Sequence, residues 1–237
     1  MIDAIGFRTV PGGVELRADP AREPCFNVVH HQSEMVNYDG PSLESQREKL
    51  HTDVSNEIQS IEIAASAIAE FPDAPWPVRM ELARQCWDEA RHAALYMRQL
   101  LKKGGWKGEY PIINQEWGVV CRFDTLAARV AIQNRIFEGG SLDNSVEVVD
   151  FFADLGDPET AEVVAGIATD EIRHAAFANE WLAELKHDDP KALLKAIAAI
   201  AEVKAFAPQL RPPPKDDMEP HEIPVNVEDR RRAGFSV

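Results

Sequence analysis

The stretches Asp88-Glu89-Ala90-Arg91-His92-Ala93-Ala94 and Asp170-Glu171-Ile172-Arg173-His174-Ala175-Ala176 both read D-E-x-R-H-A-A. Residues three apart on an α-helix lie on one face, so each copy aims a carboxylate and an imidazole at a common point. A second regularity accompanies the repeat. Glu57 precedes Glu89 by 32 residues and Glu138 precedes Glu171 by 33, each within a stretch of helical periodicity. The chain therefore reads as two similar helical hairpins, each supplying a Glu and then Glu-x-x-His. That inventory is the one by which four helices enclose two metal ions bridged by carboxylates.

The periodicity places these residues on apolar seams. Glu57, Ile61, Ala64, Ile68 and Phe71 follow one another at steps of four and three between about Ser42 and Phe71, which predicts the first helix. Pro72, Pro75 and Pro77 end it and start a second, from about Trp76 to Lys103, with Val78, Leu82, Cys86, Glu89, Ala93, Tyr96 and Leu100 inward and Gly104-Gly105 as the stop. A third helix is expected from near Ile112 to Leu155 through Val120, Ala127, Ala131, Asn134, Glu138, Leu142, Val146, Val149 and Phe152, with Gly139-Gly140 predicting a kink or bulge beside Glu138. Asp157-Pro158 opens a fourth, to about Lys186, and an additional helix spans about Pro190 to Phe206. Measured from the interhelical turns at roughly 1.5 Å per residue, Glu57 and Glu89 fall within about 3 Å of one height, and Glu138 and Glu171 within about one turn.

The expectation is thus an all-α protein: residues 1–43 an irregular arm with a short hairpin, 44–188 a four-helix bundle, 189–207 an additional C-terminal helix, and 208–237 an extended, proline-rich tail. Lys and Arg number 25 against 40 Asp and Glu, a formal charge of −15. Such a balance repels phosphate backbones and anionic lipid, so neither nucleic acid nor a membrane is an expected partner, Arg230, Arg231 and Arg232 being a small local exception. Cys25, Cys86 and Cys121 are too few and too scattered for a disulfide framework or a cysteine knuckle. Together with a start that lacks both a basic stretch and an apolar run, they predict a cytoplasmic protein.

Four carboxylates inside a bundle repel one another and lose solvation unless cations balance them. Two divalent ions supply four positive charges against Glu57, Glu89, Glu138 and Glu171, and His92 and His174 complete the coordination as neutral donors. Mixed carboxylate and imidazole ligands suit iron or manganese and tolerate zinc. Asp88 and Asp170 are candidates to accept the other ring N–H of a ligating histidine, each serving the opposite hairpin; their alternative is an exposed polar face, as it is for Arg91 and Arg173. Glu62 and Glu147 compete with Glu57 and Glu138, and lose on seam position and hairpin symmetry. Cys86 and Tyr96, one turn to either side of the second-helix ligands, read as core packing before a redox role. His30 and His31 read as surface residues before extra ligands, and Trp87, Trp117 and Trp181 as core or interface anchors.

The two D-E-x-R-H motifs, with Glu57 and Glu138 ahead of them, resemble the ferritin-like superfamily of dinuclear metal carboxylate proteins. The runs NEIQSIEIAASAIAEFPDAP (56–75), WDEARHAALYMRQLLKKGGWKGEYPI (87–112) and DEIRHAAFANEWL (170–182) resemble a poorly characterised bacterial family of ferritin-like domains. That family is distantly similar to tRNA-modifying diiron hydroxylases. The resemblance covers about residues 45–187. Asn56 departs from it, standing where such families carry His before the first glutamate.

The resemblance implies a non-haem oxidoreductase whose two iron ions, or a manganese–iron or dimanganese pair, use O₂ to oxidise or hydroxylate a small organic substrate. An electron donor is then required, and a homodimer is the assembly allowed for. Metal storage or detoxification, a manganese catalase, tRNA hydroxylation (disfavoured by the charge) and a non-catalytic binding protein are the competing expectations.

Overall fold

The computed structural model describes residues 6–10, 13–210 and 223–236. It is all-α and of bundle type, with one small antiparallel sheet, and it divides into two compact units, residues 1–129 and 130–237.

In the first unit, β1 (Phe7–Val10) pairs antiparallel with β2 (Val14–Arg17), as the arm's sequence suggested. Helices α1 (Leu43–Glu70) and α2 (Trp76–Lys102) then form a hairpin. Ser42 caps α1, its Oγ accepting from the Ser45 N–H at 3.1 Å, which satisfies one of the N–H groups that a first turn leaves without an intrahelical partner. Proline explains the turn between the helices: Pro75 takes the cap position of α2 and Pro77 lies in its first turn, where a missing N–H costs nothing. Gly104, at φ 76°, closes α2 in the left-handed conformation. Leu50, Val54, Ile63, Ala64 and Ala67 of α1 and Val78, Leu82, Tyr96 and Leu100 of α2 are buried.

The arm folds over this hairpin. Val29 N–H donates to the Ile112 carbonyl (2.8 Å), Ile112 N–H to Asn27 (2.9 Å) and the Trp117 indole N–H to Ala18 (2.9 Å). A Cβ on Gly118 would sit 3.2 Å from Leu16, so the small residue lets α3 (Gln115–Val120) approach β2.

The continuous third helix expected from Ile112 is interrupted. After α3 the chain breaks at Cys121–Thr125 and resumes as α4 (Leu126–Val130). Buried Arg129 supplies the reason. Its Nε donates to the Phe123 carbonyl (2.9 Å), its Nη2 to Cys121 (3.5 Å) and Glu70 (2.6 Å), and its Nη1 to Ser66 Oγ (3.3 Å). A side chain that satisfies the carbonyls at the break removes the need for helical partners there.

In the second unit, a π-helical segment (Ala131–Phe137) leads into α5 (Glu138–Asp154), so the bulge predicted beside Glu138 is a full π stretch ending at that residue. Gly156 (φ 72°) and Asp157 make the turn into α6 (Pro158–Asp188); Asp157 accepts from the Thr160 N–H (3.1 Å) and hydroxyl (2.6 Å). Helix α7 (Pro190–Leu210) runs four residues beyond its predicted end.

The tail departs from its predicted extended form. Residues 211–222 lie outside the described residues, but Val227–Arg232 forms a helix, α8, that packs on α5 and α6. Asn226 caps it and donates its backbone N–H to Asp143 (2.9 Å), and Arg230 grips the Asp143 carboxylate through Nε (2.9 and 3.1 Å) and Nη2 (2.6 Å). The guanidinium groups of Arg135 and Arg230 each lie 4.9 Å from the Phe235 ring centre. Phe235 also packs against the cluster of Leu142, Ile172, Ala175 and Ala233. Val146, expected on the inner seam, is 45% exposed, and Trp87, read as a core or interface anchor, is 71% exposed and so not part of the core. Among the described residues, no helix is long and apolar enough to cross a membrane.

Candidate metal centre

Each unit brings one set of donors together. In the first, α1 supplies Glu57 and α2 supplies Glu89 and His92. His92 Nδ1 lies 3.1 Å from Glu89 Oε2 and 3.5 Å from Glu57 Oε2. In the second, α5 supplies Glu138 and α6 supplies Glu171 and His174, with His174 Nδ1 again 3.1 Å from Glu171 Oε2. Within each triad one ligand atom per residue falls within 4.8 Å of the others. Glu89, His92, Glu138, Glu171 and His174 are buried, Glu89 to 1% exposure and His92 to 0%; Glu57 is half-buried.

The spacing fits coordination. Neighbouring donors about 2.1 Å from one ion and at right angles to each other lie about 3.0 Å apart, and opposite donors about 4.2 Å. Carboxylates at this depth, facing one another, require a compensating positive charge. These buried carboxylate and imidazole groups can hold metal ions. Donor type favours no single first-row ion among iron, manganese and zinc.

The sequence competitors go elsewhere. Glu62 forms an ion pair with Arg22 (2.5 Å), and Glu147 belongs to neither donor set. His30 pairs with Asp19 (Nδ1 to Oδ2, 3.2 Å), and His31 lies in the arm and is likewise outside both sets. Asp88 is buried and pairs with Arg84 (3.4 Å) and Arg91 (3.3 Å) of its own helix; Asp170 is half-buried. Cys86 is half-buried with its thiol facing the Ile61 carbonyl at 3.7 Å, and burial, reinforced by the Glu89 charge, pushes its pKa up, which disfavours a thiolate. Tyr96 is buried on the same helix.

Two site residues escaped the sequence reading. Buried Gln85 donates Nε2 to Glu89 Oε1 at 3.0 Å, and buried Gln133 donates Nε2 to Glu138 Oε1 at 3.0 Å. The first was visible as a polar residue one turn ahead of Glu89 on the buried face of α2. The second was hidden, because it lies five positions ahead of Glu138 rather than three or four.

Compared with known families, residues 8–237 match the one described as a protein of unknown function, DUF455. The chain belongs to the DUF455 family. No curated protein and no solved structure matches. The match takes in both triads, the N-terminal arm and α8, so in this DUF455 protein the donor residues and the segments packed around them belong to one family unit. The helical architecture is compatible with a ferritin-like fold.

Proposed function

We propose that the two triads together hold a pair of metal ions, iron with iron or manganese with iron, and that the protein is a ferritin-like, non-haem oxidoreductase acting on a small organic substrate with O₂. One observation carries the reading: each unit gathers the same trio, a lone Glu beside a Glu-x-x-His pair, with one ligand atom per residue within 4.8 Å of the others. Two such trios are the donor inventory that a carboxylate-bridged metal pair requires.

In this reading Glu57, Glu89, Glu138 and Glu171 would hold the ions as carboxylate ligands, and His92 and His174 would complete the set, each with Nδ1 facing the Glu of its own repeat. The four carboxylates set the charge that two divalent ions balance, and their two oxygens let ligation rearrange without moving a helix. The buried seams of α1, α2, α5 and α6 keep bulk water from the donors. Bound as a pair, the ions would supply the electrons that reduce O₂, and an external electron donor would restore them.

Metal analysis of protein purified under reducing conditions, followed by O₂ consumption of the ferrous form, tests the proposal. Two redox-active ions per chain and stoichiometric O₂ uptake are expected. Fewer than two ions, or a ferrous form inert to O₂, overturns it. O₂ release from peroxide by a dimanganese form would instead identify a catalase, and a large closed shell in solution would identify a storage protein.

A further inference from the structure

The two glutamines touching the donor carboxylates do so in the same way from differently wound helices. Gln85 and Glu89 are four residues apart on α2, and an α-helix stacks residues at that spacing on one face. Gln133 and Glu138 are five apart, which on an α-helix would place them about 140° from each other around the axis. The π segment reduces that offset, because its i→i+5 bonds widen the turn and bring residues five apart closer together on one face. Glu138 N–H donates to the Gln133 carbonyl while the Gln133 amide donates to Glu138 Oε1, so backbone and side chain join the same two residues. With α winding the residue one turn ahead of Glu138 would be Asn134, one methylene shorter.

We propose that Gln85 and Gln133 are positioning residues. Each occupies one oxygen of a donor carboxylate, Oε1 of Glu89 and Oε1 of Glu138, and so directs the remaining oxygen to metal; the π winding of 131–137 is the device that gives Glu138 this partner. The inference rests on the dinuclear reading above. At Glu89 the oxygen left by Gln85 is Oε2, the atom that faces His92 Nδ1 at 3.1 Å. An amide is suited to this task because it donates without adding charge, leaving the balance between four carboxylates and two divalent ions intact. It also leaves Oε2 of Glu89 as the oxygen that would face an ion beside His92.

The test titrates Co(II) and Mn(II) into the metal-free full chain of wild type, Gln85→Met and Gln133→Met, following the Co(II) visible absorption, the Mn(II) EPR signal and ions bound per chain. Wild type is expected to take up two ions. Each methionine variant, near-isosteric but unable to donate, should keep its helical circular dichroism, lose about 10- to 100-fold in affinity for one of the two ions, and show an altered Co(II) spectrum. Gln85→Glu and Gln133→Glu provide the second readout: at neutral pH an ionised Glu keeps the shape but accepts where the amide donates and adds a negative charge, so the Co(II) spectrum should change, a response that a purely packing role would not produce. Methionine variants that bind two ions with wild-type affinity and spectrum, or Glu variants with the wild-type Co(II) spectrum, overturn the positioning role while the dinuclear reading stands. A wild type that binds no pair overturns both.

Discussion

The two hairpins place the same three kinds of donor on helices that reach them by different windings. In the first, α1 and α2 are uninterrupted α-helices, and the N-terminal arm packs over the hairpin. In the second, the strand of helix entering the site is π-wound and α8 returns from the far end of the chain to cover α5 and α6. The residue four positions before the lone glutamate differs too: Asp53 ahead of Glu57, Asn134 ahead of Glu138. A duplicated motif therefore specifies where donors go, while the residues around it decide how tightly each is held and at what charge.

The strongest way to break the comparison is to remove the glutamate of either Glu-x-x-His repeat. Glu89→Ala and Glu171→Ala should each abolish binding of a metal pair. Wild type should gain roughly 4 kcal/mol of stability when free metal exceeds its dissociation constant a thousandfold, a gain the variants should lack; denaturant unfolding with and without Mn(II) reads this directly. Next in size is the buried cation of the first unit. Arg129→Met leaves Glu70 and the carbonyls of Cys121 and Phe123 without their donor and should cost about 3 kcal/mol. Its counterpart in the second unit, Arg230→Met, should cost about 1–2 kcal/mol and make α8 protease-sensitive while α5 and α6 stay protected.

A pH profile sharpens the contrast between Asp53 and Asn134. Burial pushes the Asp53 carboxyl from its ordinary 3.8 up to about 7, with Glu48 adding to the rise and Lys49 opposing it. The unfolded chain releases this proton first, so between about pH 4 and 7 the folded state binds more protons and stability falls as pH rises. Metal-free Asp53→Asn should flatten that fall and be the more stable form at pH 8. The smallest effect is local: Asp157→Ala, which uncaps α6, should cost about 1 kcal/mol, read from the thermal midpoint.

What the sequence disclosed follows from the range over which each signal acts. The D-E-x-R-H repeats, the proline-marked turn before α2 and the Asp157 cap are written within one or two helical turns, and each appears where its residues predict. Glu57 was separated from Glu62 by seam position and by its height in the hairpin, and Glu62 pairs instead with Arg22. The break at Cys121–Thr125 was not legible, because it depends on Arg129 reaching Ser66 and Glu70 some sixty positions earlier. Helix α8 did carry a local signature, Asn226 as cap followed by Glu228 and Asp229 and then three arginines. The surrounding prolines and charges masked it. Gln133 required knowledge of the winding, for which Gly139-Gly140 gave the place but not the register.

The N-terminal arm has a consequence in time. Its bonds to Asn114, Gln115 and Trp117 join residues 83 to 99 positions apart, so it cannot close on its partners until α1 and α2 have brought the intervening chain together. The arm is thus a late-closing clasp: weakening it, as in Trp117→Phe, should leave the refolding rate near wild type and quicken unfolding, so the last segment to dock governs how long the folded molecule lasts.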